Sequence, residues 1–151
     1  MGIYNNDNWT LARGEVDGHP FIIRARSSLP SQADREYFSH LIVISWGYER
    51  DANDGFPPPA VSEHMENFET ALFESFNENS AEGCGVAVVT TDGTRQWRFY
   101  TPDTEAFMEA FNQALAGQPA YPIELEAFTD PEWGALAELI NPEADTGSAQ
   151  Q

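Results

Sequence analysis

The chain has 151 residues, 41% of them apolar, with ten Phe, five Tyr and four Trp. That is the size of one ordinary domain with enough large apolar side chains to bury a core unaided. Twenty-five acids face seven Arg and no Lys, a formal charge of −18, which repels phosphate backbones and anionic lipid and so argues against direct nucleic-acid or membrane-surface binding.

The acidity is uneven. Residues 1–50 hold six acids and five Arg, and residues 51–151 hold nineteen acids and two Arg. A field of that sign favours a basic protein partner and speeds encounter with it. The single cysteine, Cys84, permits no internal disulfide and fits a reducing compartment. No stretch approaches the ~20 apolar residues of a membrane helix, and the N-terminus shows no leader pattern. These features predict a cytoplasmic protein.

In chain order, residues 8–15 and 19–26 read as strands around Asp17-Gly18, a dipeptide suited to a type I′ hairpin. Residues 27–36 read as a polar loop. Phe38 to Tyr48 reads as a long strand, and its unalternating Leu41-Ile42-Val43-Ile44 predicts cover on both faces. Glu49 to Ala60 reads as a loop ending in Pro57-Pro58-Pro59. Ser62 is the expected N-cap of an amphipathic helix with Met65, Phe68, Leu72 and Phe76 inward. Phe73 falls off that stripe and is expected to be partly exposed.

Gly85 to Thr91 and Thr94 to Thr101 form a second predicted hairpin about Asp92-Gly93, with Trp97 and Phe99 on one face and Arg98 and Tyr100 on the other. Thr104 is the expected cap of a helix that buries Phe107, Met108, Phe111 and Leu115 and stops at Gly117. Tyr121 to Thr129 reads as a strand. Asp130-Pro131-Glu132-Trp133 reads as a helix start, with a capping Asp and Pro at the first helical position. The last nine residues, 143–151, are small and polar and are expected to be a disordered tail after a single domain of residues 1–142.

The order is β-β, then β-α-β-β-α-β, then α. Its middle six elements match a ferredoxin-like split βαβ pattern, an α+β fold with two helices on one face of an antiparallel sheet. The N-terminal hairpin extends that sheet and a short helix closes the chain.

Local chemistry is sparse. His19, His40 and His64 stand in no zinc-ligand spacing. Cys84, between two glycines and among acids that raise a thiol pKa, reads as a small strand residue rather than a nucleophile. Glu82-Gly83-Cys84-Gly85 opens a strand, not a helix, and makes a poor phosphate cradle. Asp51-Ala52-Asn53-Asp54-Gly55 faintly matches a calcium loop but offers Ser62 where the closing bidentate Glu belongs. Arg95 and Arg98 flank Trp97, which reads as cross-strand packing. No cofactor or metal is expected.

Asn8-Trp9, Asp54-Gly55-Phe56-Pro57, Thr94-Arg95-Gln96-Trp97-Arg98-Phe99-Tyr100, Tyr121-Pro122-Ile123 and Asp130-Pro131-Glu132-Trp133 together resemble the bacterial domain-of-unknown-function family 695, over residues 7–142. That family is similar in pattern to the B-type protein regulator of ribonuclease E, a ferredoxin-like inhibitor. The resemblance implies a ferredoxin-like fold and no established catalytic residues.

Three functions compete. The first is a non-catalytic inhibitor of immunity type that neutralises a basic toxin through Glu49, Asp51, Asp54, Glu63, Glu66, Glu69, Glu74 and Glu78, with Phe56 and Phe73 as apolar anchors. The second is a regulator of an RNA-processing enzyme, by analogy with the ribonuclease E inhibitor. The third is a hydrolase built on converging carboxylates, which needs acids brought together in a pocket.

Overall fold

A computed structural model describes residues 9–49, 55–76, 82–91 and 93–140. Its elements are β1 (Trp9–Val16), β2 (His19–Arg26), α1 (Gln32–Tyr37), β3 (His40–Gly47), α2 (Pro59–Ser75), β4 (Cys84–Thr91), β5 (Thr94–Thr101), α3 (Thr104–Ala114), β6 (Ile123–Thr129) and α4 (Gly134–Ile140). The six strands form one antiparallel sheet in the order β1-β2-β4-β5-β3-β6. The chain is therefore an α+β protein with a mixed core.

Each local choice has a physical cause. Asp17 and Gly18 both take positive φ, at 55° and 81°, the backbone a type I′ turn demands. β3 pairs with β5 on one side and β6 on the other, and Leu41 to Ile44 are all buried. Its apolar run thus reflects cover on both faces, as the pattern predicts.

One face of the sheet carries α2 and α3. Met65, Phe68 and Leu72 of α2, Phe76 at its C-terminal cap, and Phe107 and Phe111 of α3 meet Ile42, Ile44, Trp46, Val88, Trp97 and Phe99. The Phe76 and Phe107 rings stack with centroids 4.4 Å apart. The opposite face holds a smaller core of Ala25, Phe38, Leu41, Val43, Cys84, Val86, Ala87 and Tyr100 under Trp133 and Leu136. In β4 a register shift between Gly85 and Ala87 inserts Val86 as an extra residue.

Four expectations need correction. The segment 27–36 is not all loop: Ser31 caps α1, accepting from Asp34 N at 3.2 Å. α1 buries no residue, so it carries no apolar periodicity to read. α2 starts three residues before Ser62, with Pro58 at the cap and Pro59 at the first helical position, where a missing N–H costs nothing. α3 is capped by Asp103 rather than Thr104, its carboxylate accepting from Glu105 N and Ala106 N. In Asp130-Pro131-Glu132-Trp133, Pro131 and Glu132 form a turn, and the helix begins only at Gly134. Asp130 still caps it, accepting from Gly134 N at 3.0 Å and Ala135 N at 3.2 Å.

The turn at Asp92, the chain after Ser75 at residues 77–81 and the tail 143–151 lie outside the described residues. Among the described residues no helix is long and apolar enough to cross a membrane.

Candidate functional site: the outer face of α2

At 100° per residue, Glu63, Glu66, Asn67, Thr70 and Glu74 fall on one side of α2, opposite Met65, Phe68 and Leu72. Burial follows the same division: the first five are exposed and the latter three fully buried. The apolar stripe fixes the helix on the sheet, so the polar stripe is held rigidly outward.

Beside this stripe, between α2 and the connection from α3 to β6, lies a cleft of about 430 Å³ lined by Asn67, Thr70, Ala71, Glu74, Gln118 and Tyr121. Gly117, at φ +83°, turns the chain there in a left-handed conformation that glycine takes without strain. The Tyr121 ring packs against Trp46 at 5.2 Å and Phe68 at 5.4 Å, and its hydroxyl donates to Gln118 Oε1 at 2.6 Å. His64 is exposed, with its ring 6.4 Å from that of Tyr121. The Glu74 carboxylate and the Gln118 amide oxygen in the cleft lining are acceptors that suit guanidinium or ammonium donors.

Glu69 belongs to a different system. It points toward the sheet, where Arg24 Nη2 donates to both its oxygens at 2.9 and 2.8 Å and Trp97 Nε1 donates to Oε1 at 2.9 Å. Arg95 stands nearby, its Nε donating to Thr90 Oγ1 at 2.7 Å. Burial lowers the Arg95 pKa, and the Glu69 charge opposes that shift. Glu69 thus lies between Arg24 and Arg95, and the Glu66 charge also acts on Arg95.

The opposite face of the sheet holds a second buried polar group. The Tyr100 hydroxyl donates to Asp130 Oδ2 at 2.6 Å, and its ring stacks on Trp133 at 3.9 Å and 6°. Trp133 Nε1 donates to Phe38 O at 2.9 Å. Burial first, then the bond to Asp130, raises the Tyr100 pKa far above its ordinary value. Asp130 therefore ties β5 to the cap of α4. Arg98 lies on this face with Nη2 donating to Gln96 Oε1 at 3.1 Å, and burial lowers its pKa.

The sequence-predicted site residues separate into four groups. Glu49, Glu63, Glu66 and Glu74 are exposed. Glu69 and Phe73 turn inward, Phe73 packing edge-on against Trp9 at 5.8 Å and beside Phe99 at 5.5 Å. Phe56 is half-buried, next to Gly55, whose carbonyl accepts from the Tyr48 hydroxyl at 2.7 Å. Asp51, Asp54 and Glu78, and with them most of the calcium-like stretch, lie outside the described residues. Among the described residues no three His, Cys, Asp or Glu gather as a metal site, and Cys84 is buried. Asn67, Thr70, Gln118 and Tyr121 were not singled out as site residues. Helical spacing from Glu63 and Glu74 reaches the first two, whereas the last two arrive only through the fold.

These features define a small, strongly acidic α+β domain that presents a rigid polar helix face. The chain belongs to the family of unknown function DUF695, whose model matches residues 7–139. A search of curated proteins finds no match to it.

Proposed function

We propose that this is a non-catalytic binding protein of the immunity type, which neutralises a basic toxin through the outer face of α2. The observation that carries the reading is the division of acids on α2. Glu69 is turned inward and paired with Arg24, and Glu63, Glu66 and Glu74 are exposed along one stripe beside the cleft. Charges so placed steer a cationic partner and set its orientation, and the cleft can receive an Arg or Lys side chain. The buried thiol of Cys84 supports a reducing, cytoplasmic setting.

We also read β3-α2-β4-β5-α3-β6 as a ferredoxin-like unit, supported by its strand order β4-β5-β3-β6 and by α2 and α3 sharing one face. That arrangement favours a second reading, a regulator of an RNA-processing enzyme, through the similarity to the ribonuclease E inhibitor; fold analogy alone supports it. Mixing the protein with basic bacterial toxins and with ribonuclease E, at low and high salt, separates the two. Salt-sensitive neutralisation of a toxin supports the first reading. Inhibition of the ribonuclease alone supports the second, and neither outcome refutes both.

A further inference from the structure

The sheet ends in two open edges, β1 and β6, each paired on one side only among the described residues. Open edges present unpaired backbone donors and acceptors and recruit further strands unless blocked. β1 runs eight residues without proline or register shift against β2, so its backbone is free of the usual interruptions.

The side chains of the two edges differ in a way that decides what each can pair with. β1 carries Arg13-Gly14-Glu15 and β6 carries Glu124-Leu125-Glu126, and all four charged residues are exposed. When a strand meets a second copy of itself antiparallel about a two-fold axis, residues equally spaced from the centre lie directly opposite. About Leu125 this sets Glu124 against Glu126 of the second copy, like against like, twice. About Gly14 it sets Arg13 against Glu15 of the second copy, opposite charges, twice. Within a chain of −18, β1 is thus a self-complementary edge.

The centre of that pairing is also apolar. A Cβ built on Gly14 would lie 2.8 Å from Phe21 Cζ, so the Phe21 ring of β2 already covers the axis position on one face. Two copies bring two such rings to the same axis.

We infer that the protein self-associates through β1, two copies pairing antiparallel about Gly14 to join their sheets into one. A contact confined to one strand from each copy is small, so the dimer is weak and concentration-dependent. The test is sedimentation equilibrium of the full chain at fixed physiological ionic strength, with R13E, E15R and the swap R13E/E15R. Both sites are exposed, and circular dichroism checks that each variant keeps its fold.

Each single reversal places like charges opposite each other at two positions and weakens the dimer by about tenfold; the swap restores it. General charge repulsion predicts otherwise, because E15R reduces the net negative charge and would tighten association. A chain monomeric at all concentrations, a dimer indifferent to both reversals, or a dimer tightened by E15R would each overturn the inference.

Discussion

Removing the Glu69 carboxylate tests the division between internal and outward acids on α2. Trp97 is fully buried, and its indole N–H bonds to Glu69 Oε1. A buried donor left without a partner costs about 1–3 kcal/mol. The ion pair itself adds less, because the Arg24 side chain is 43% exposed and that of Glu69 22%; such a pair contributes at most about 1 kcal/mol. Glu69→Ala should therefore lose about 2–4 kcal/mol in urea unfolding, seen as a lower midpoint at constant slope. Glu69→Gln keeps an acceptor for the indole and should lose about 1 kcal/mol, as should Arg24→Ala. Equal losses for Glu69→Ala and Glu69→Gln would place the energy in charge rather than in the buried N–H and refute the reasoning. A loss in Arg24→Ala matching that in Glu69→Ala would do the same.

Tyr100 predicts an alkaline limit. Its pKa is raised in the fold by burial and by the bond to Asp130, so the folded state holds this proton more tightly than the unfolded chain. The stabilisation is complete below the unfolded tyrosine value of about 10 and is lost as pH rises beyond it. Melting temperature should fall above that pH in the wild type and fall less steeply in Tyr100→Phe. Gly85→Ala should destabilise by about 1–3 kcal/mol, because the Phe73 ring occupies the space a Cβ needs. Shortening Phe73 to Leu in the same chain should recover part of that loss, and strictly additive losses in the double variant would rule out the clash.

Much of the architecture was legible because its causes are local. The Asp17-Gly18 turn, the buried run of β3 and the Met65-Phe68-Leu72-Phe76 stripe each follow from one residue period or one backbone requirement. What escaped reading depends on partners distant in sequence. Phe73 is off the helix stripe and half-buried, as expected, but its neighbours were not legible: the β1–β2 hairpin brings Trp9 onto it and Gly85 leaves room for its ring. Glu69 looks like any other acid of α2 until the sheet places Arg24 and Trp97 beneath it. The Tyr100–Trp133 stack requires a turn with Trp133 at φ +58°, a conformation that no propensity assigns to tryptophan. α1 was missed for a different reason: with no buried side chain, it is written only in the capping of Ser31.

The central claim is that the outward stripe of α2 is what a cationic partner meets. Its most direct measurement is the rate of association with a basic toxin, by stopped flow over a range of ionic strength, for the wild type and for E63Q/E66Q/E74Q. Wild-type association should slow by about tenfold or more as salt is raised. The triple variant should associate slowly at every salt concentration while keeping the wild-type melting temperature. Unchanged rate and affinity in that variant would contradict the account.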